Sequence, residues 1–198
     1  VASGYPELKR GLDLVAGAVL LAVSLPVQVM VAVAVALDLG RPVLFRQVRT
    51  GLHGEPFTLL KFRSMRAGSG NDGQRLTGVG RFLRRTSLDE LPSLVNVVRG
   101  ELSLVGPRPL LPEYLPLYDA EQRRRHEVRP GITGLAQVSG RNLLSWADQF
   151  RLDVRYVDTM SARLDAWILL RTIGKVFAQE GIAAAGQHTR AKFTGTER

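Results

Sequence analysis

The chain has 198 residues, 45% of them hydrophobic, and no cysteine, which leaves room for one main domain and excludes a disulfide framework or thiolate metal site. Twenty-seven Lys and Arg against 18 Asp and Glu give a net charge of +9, so an acidic partner is expected: nucleic acid, anionic lipid or a phosphorylated substrate. The three histidines, His53, His126 and His188, are scattered without His-Glu-x-x-His spacing, which removes support for a zinc hydrolase.

Lys9 and Arg10 precede an uncharged apolar run over residues 14–37. At about 24 residues it makes roughly 36 Å of helix, against about 30 Å of bilayer hydrocarbon. It is too long for a secretory apolar region, so a membrane element is expected. Pro26 lies near its middle and takes away the hydrogen bond to the carbonyl of Ala22, while Ser24 can re-satisfy freed backbone groups. Both flanks are basic, with Lys9 and Arg10 before and Arg41, Arg46 and Arg49 after, so charge fixes no orientation. A kinked span and a helix that turns back both fit.

Residues 43–48 and 57–63 alternate as the strands of a β-hairpin. Period two sets Leu59, Lys61 and Arg63 on one face, and Leu60 and Phe62 on the other. A solvated basic face is the plain reading of the two cations. Residues 67–80 are rich in glycine and polar groups and are expected to be loop, and no Gly-Lys-Ser/Thr follows to make a nucleotide-binding P-loop.

The segment 86–114 concentrates the chemistry-bearing residues. Asp89 and Glu90 are adjacent, and repulsion and unequal solvation can split the pKa values of such a pair. One carboxylate can then act as nucleophile or metal ligand while the other handles protons. Arg108 stands between Pro107 and Pro109, so its planar fork is carried on stiff backbone suited to phosphate oxygens. The competing reading is a capping box, with Ser87 as cap and Glu90 as its partner. Pro92 complicates that helix start.

Apolar residues 94–98 suggest a short helix stopped at Gly100, then a strand over 102–105. Residues 113–128 are expected to form one helix carrying Arg123, Arg124, Arg125 and His126, a cluster suited to a solvated face or anionic lipid. Glycines punctuate 130–142, and Ser145 and Ser161 are placed to cap two further helices. The second interleaves Leu164, Trp167, Ile168, Ile173, Val176 and Phe177 with Arg163, Arg171 and Lys175, the pattern of an interfacial helix or of a core-facing one. From Gln179 onward the tail is polar, and little order is expected there.

Five ordered blocks carry a further likeness: LKRGLDLV, RPVLFRQVRTGLHGEPFTLLKFRSM, SLDELPSLVNVVRGELSLVGPRPL, RPGITGLAQVSGRN and YVDTMSARLDAWILLRTI. Together they resemble the bacterial sugar transferases, monotopic phosphoglycosyl transferases that start polysaccharide assembly on polyprenol phosphate. The resemblance implies an α+β, mostly helical fold: a re-entrant membrane helix over 1–40 bent at Ser24 and Pro26, a catalytic domain over 41–178 with a β-hairpin and interfacial helices, and a polar tail over 179–198. It implies a UDP-sugar donor, a polyprenol phosphate acceptor, Mg2+ on Asp89, anionic lipids around the domain, and the cytoplasmic face of the bacterial inner membrane. Asp89 would be the nucleophile that forms an aspartyl phosphosugar, with Glu90 managing a proton or orienting the acceptor. Lys61, Arg63, Arg84, Arg108 and Arg141 would bind substrate. The chain departs from the family where Leu25 separates Ser24 from Pro26, where Leu135 replaces an aromatic, and where Ser139 replaces asparagine. A non-catalytic, membrane-anchored basic adaptor is the rival reading. A nucleic-acid module has no motif behind it.

Overall fold

In the computed structural model, which describes residues 4–69, 71–140, 144–178 and 192–195, the apolar run lies within one long helix, α1 (Tyr5–Leu39). The helix continues through Pro26, where Gln28 Nε2 donates to Ser24 Oγ at 2.9 Å and Ser24 Oγ to the Leu21 carbonyl at 3.3 Å. Its middle is bare: Val15, Val19, Val23, Leu25, Val29, Met30 and Val33 are each more than half exposed.

Both ends of α1 dock on the same globular body. Toward the N-terminus, Lys9 Nζ and Tyr5 OH donate to Asp165 Oδ2 at 2.6 and 2.8 Å. Asp13 accepts from Ser103 Oγ at 2.7 Å and from the Leu104 amide at 3.1 Å. A Cβ on Gly17 would lie 2.8 Å from Val97 Cγ1, so glycine lets the helix approach its neighbour. Toward the C-terminus, the buried Val31 and Val35 pack with Phe62 and Leu83.

The expected hairpin is present as β1 (Leu44–Thr50) and β2 (Pro56–Phe62), antiparallel, with Leu44 opposite Phe62 and Thr50 opposite Pro56. Facing partners share a side. Phe45, Gln47 and Arg49 therefore stand with Lys61, Leu59 and Phe57, and Phe57 and Leu59 pack on Val97 and Leu102. Phe62, on the opposite side, meets α1. Because β2 ends at Phe62, alternation does not carry Arg63 onto the Lys61 face. The Arg63 guanidinium instead donates to the carbonyls of Leu39 and Gly40, the unpaired acceptors at the end of α1.

The segment expected to be loop contains a one-turn helix, α2 (Asp72–Arg75), and the start of α3 (Gly78–Thr86). The deciding feature is Thr77, whose hydroxyl accepts from the Gly80 amide at 3.0 Å and caps α3 despite its glycines. After a 3-10 turn over Leu88–Ser93 come α4 (Leu94–Arg99) and β3 (Ser103–Val105), which pairs in parallel with β4 (Gly131–Thr133).

The single helix expected over 113–128 is three short pieces: a 3-10 turn over Pro112–Leu117, α5 (Ala120–Arg123) and a 3-10 turn over Arg124–His126. Pro116 and the Asp119/Gln122 capping box restart the chain there. Its basic cluster is divided between buried and exposed positions, with Arg123 exposed. Arg125 and His126 are buried, and Arg124 is paired with Glu121, Glu127 and Asp158. Burial and the neighbouring Arg125 charge press His126 down to about 4, so it is neutral at physiological pH.

The chain then forms α6 (Leu135–Ser139), α7 (Trp146–Thr159), capped by Ser145, and α8 (Ala162–Ala178). Ile168 and Asp165 of α8 face the core, whereas Trp167, Leu170 and Ile173 are exposed, with Arg171 5.3 Å from the Trp167 ring centre. Within the tail, Phe193 is buried among Tyr114, Tyr118, Trp146 and Phe150, so this part of the tail is packed rather than free.

Candidate active site

Where α3 ends, Ser87 takes a left-handed backbone conformation (φ 57°, ψ 17°) and makes no side-chain cap. The capping box is therefore not built. The reversal at Ser87 starts the 3-10 turn that presents Asp89 and Glu90, and it is held by the Glu90 amide to the Ser87 carbonyl at 3.1 Å. A non-glycine residue at positive φ is costly, and such strain concentrates at functional sites.

The two carboxylates occupy different surroundings. Glu90 Oε1 accepts from Lys61 Nζ at 2.5 Å and from Arg108 Nη2 at 3.3 Å. Burial pushes the Glu90 carboxyl up, but these two cations outweigh it and hold the group well below the usual carboxylate range. Asp89 makes no hydrogen bond or ion pair with another side chain among the described residues. Burial and then the Glu90 charge raise it to about 6, against a weaker pull from Lys61, Arg84 and Arg108. The pair is thus split into a committed anion and an uncommitted one.

Arg108 is carried on backbone fixed from three directions. The Arg125 guanidinium donates to the Arg108 carbonyl at 2.8 Å, Arg49 Nη1 to that of Pro109 at 3.3 Å, and the Thr50 amide to that of Leu110 at 3.0 Å. Behind it the Gly-Pro-Arg-Pro turn interlocks with the Pro-Gly-Ile-Thr-Gly stretch. A Cβ on Gly131 would sit 2.1 Å from the Gly106 amide nitrogen, and one on Gly134 the same distance from the Gly106 carbonyl oxygen. These contacts leave the Arg108 side chain, 44% exposed, projecting over Glu90 into a cleft. Arg49, Lys61 and Glu90 line the same cleft, with Leu59 and Ile132 as apolar wall.

Of the residues expected to act together, the structure gathers Asp89, Glu90, Lys61 and Arg108, with Arg84 close enough to act on Asp89 while its Nε donates to Ser64 Oγ at 3.0 Å. Arg63 is at the end of α1, and Ser24 and Pro26 lie on α1 itself. Arg141 lies outside the described residues.

Comparison of the sequence with known proteins gives the family. The bacterial sugar transferase family matches residues 5–179, nearly the whole chain and all of the cleft. The chain belongs to the bacterial sugar transferase family. It is 53% identical over 195 residues to the uncharacterized sugar transferase EpsL of Bacillus subtilis, covering 96% of each chain. It is 43% identical over 183 residues to the UDP-glucose:undecaprenyl-phosphate glucose-1-phosphate transferase of Caulobacter vibrioides, covering 83% of this chain and 68% of that one. With the exopolysaccharide production protein ExoY of Rhizobium meliloti it shares 35% over 196 residues, 87% of each.

Within this sugar transferase two site residues escaped sequence reasoning. In the sequence Arg49 stands as a charge flanking the membrane run, yet it reaches into the cleft from β1. In the sequence Arg125 stands in a basic cluster suited to a solvated face, yet it is 2% exposed, paired with Asp153 at 2.8 Å, and packed against the Tyr118 and Phe150 rings. The period-two pattern that places Lys61 inward applies equally to Arg49, which lies on the same face of the hairpin. No comparable signal existed for Arg125, whose partner is 28 residues away.

Among the described residues no group of three or more His, Asp or Glu is placed to hold a metal. Mg2+ does not require one, since it commonly uses one or two carboxylates, substrate phosphates and water. Asp89 fits that role because its oxygens are not taken by neighbouring side chains.

Proposed function

We propose that this protein transfers a phosphosugar from a UDP-sugar to polyprenol phosphate, undecaprenyl phosphate by the relatives' names, as the membrane-committed step that opens exopolysaccharide assembly. The observation that carries the reading is the split acid pair: Asp89 uncommitted beside Glu90 clamped by Lys61 and Arg108.

In the first step an Asp89 oxygen attacks the sugar-linked phosphorus, the bond to the UMP oxygen breaks, and UMP departs with the electron pair. In the second, an oxygen of polyprenol phosphate attacks the same phosphorus and Asp89 is released as carboxylate, giving polyprenyl diphosphate sugar. Both leaving groups and both nucleophiles are oxyanions at neutral pH, so neither step needs a general acid. Glu90, ionised between two cations, serves to hold Lys61 and Arg108 at the phosphoryl oxygens rather than to carry a proton. Arg84 adds positive potential at Asp89. Asp89 would be the residue to hold Mg2+, which would supply further charge neutralisation at the phosphoryl oxygens.

The lipid acceptor requires the cleft to lie at the bilayer surface. The two ends of α1 grip one body while its middle stays bare, which supports a helix that enters and leaves the membrane from the cytoplasmic side. The exposed Trp167, Leu170 and Ile173 of α8, with Arg171 beside them, suit the headgroup region.

The reading is tested by incubating the full-length protein with a panel of UDP-sugars and following UMP release with and without polyprenol phosphate. Lipid-dependent release from one donor is expected. Arg108→Lys, which keeps charge but loses the bidentate fork, should lower the rate at least ~10-fold, and Arg124→Lys by less than about twofold. No release from any UDP-sugar would favour a membrane-anchored adaptor.

A further inference from the structure

The cleft holds more positive charge than its own carboxylate can balance. Arg49, Lys61 and Arg108 line it against Glu90, and only Lys61 and Arg108 pair with that carboxylate. Arg49 has no carboxylate partner among the described residues. Its Nη2 donates to Gln47 Oε1 at 2.6 Å and its Nη1 to the Pro109 carbonyl at 3.3 Å, which hold the guanidinium plane, while Nε is buried without a partner. Burial, and after it the charge of Arg108, lower its pKa to about 10.

The order of charges across the cleft distinguishes the two arginines. On the inner face of the hairpin Lys61, which holds Glu90 beside Asp89, is separated from Arg49 by Leu59, because Arg49 stands opposite Phe57. Lys61 and Arg108, both bonded to Glu90, thus stand nearer the acid pair than Arg49 does. In phosphoryl transfer the attacking and leaving oxygens lie roughly in line across the phosphorus. With Asp89 attacking a phosphorus held at Lys61 and Arg108, the leaving oxygen points away from Asp89, toward Arg49.

Resting on the function proposed above, we infer that Arg49 is the catalytic residue that binds the phosphate departing with the nucleoside, so that Arg108 and Arg49 divide the donor diphosphate between transferred and leaving halves. As the phosphorus–oxygen bond breaks, charge grows on the nucleoside monophosphate, and Arg49 is the preoriented donor that meets it. This assigns specificity for a diphosphate-linked donor to a β1 residue outside the acid-pair segment.

The test is equilibrium binding of UMP and of uridine to the full-length protein by calorimetry, in EDTA, for wild type, Arg49→Gln, Arg49→Lys and Arg108→Gln. Arg49→Gln should weaken UMP roughly 10- to 100-fold, the range for a hydrogen bond to a charged group, and leave uridine within about twofold. Arg49→Lys should fall between, and Arg108→Gln should change UMP less than Arg49→Gln does. A loss of UMP and uridine affinity in parallel would make Arg49 a prop for Pro109 and overturn the inference. Wild-type UMP affinity in Arg49→Gln, or a larger UMP loss in Arg108→Gln, would overturn it too while leaving the proposed reaction intact. Wild type that binds no UMP and turns over no UDP-sugar would instead remove the reaction itself.

Discussion

Asp89 is held in a state that costs the folded protein stability. Its folded pKa, about 6, lies above its ordinary 3.8, so between those values the native state binds more proton than the unfolded chain. Stability from this group therefore falls as pH rises through the window, and the ionised carboxylate at pH 7.5 costs on the order of 1–3 kcal/mol. Without Mg2+, Asp89→Asn should melt higher than wild type at pH 7.5, and the two should converge near pH 4. A variant that melts lower at pH 7.5 would mean Asp89 is a structural acceptor. Adjacency of Asp89 and Glu90 was legible in the sequence; which of them is free was not, because Lys61 and Arg108 reach Glu90 from 29 and 18 residues away. Arg125 is hidden for the same reason, its partner Asp153 lying 28 residues away, whereas the inward side of Arg49 is legible in the period-two pattern.

At the scale of elements, α1 is a tether anchored twice. Lys9 and Tyr5 meet Asp165 near one end, and Val31 and Val35 fill the Phe62 and Leu83 pocket near the other. If that grip makes the helix re-entrant, cysteines at the exposed Glu7 and Arg41 should label from the same side with an impermeant thiol reagent in oriented vesicles. Opposite labelling would establish a plain span. Asp165→Ala removes the acceptor shared by Lys9, Tyr5 and Tyr156 and leaves Lys9 buried without that partner, so a loss of about 3–5 kcal/mol is expected in denaturant titration. A change under 1 kcal/mol would mean that the contact anchors nothing. The apolar helix and the hairpin were legible because unbroken hydrophobicity and period-two alternation are local signals. The pieces over 112–126 were not, since Pro116 and the Asp119 cap interrupt a stretch whose composition alone suits a helix.

The whole molecule places a polar, cation-lined cleft on the same body that carries two bare apolar surfaces, the middle of α1 and the outer side of α8. The net charge of +9 is divided among several tasks: some cations line the cleft, Arg63 secures the end of α1, Arg125 is buried beneath Arg108, and Arg171 accompanies Trp167. The joint requirement for a soluble anionic donor and a lipid acceptor explains why these features occur together. The central claim is that Asp89 becomes covalently bonded to the transferred group. Its most direct measurement is intact-protein mass spectrometry after incubation with the preferred UDP-sugar and Mg2+, without lipid acceptor. Wild type should gain the mass of one phosphosugar, lose it when polyprenol phosphate is added, and show no gain as Asp89→Asn. An adduct that persists in Asp89→Asn, or an active wild type that never carries one, would contradict the account.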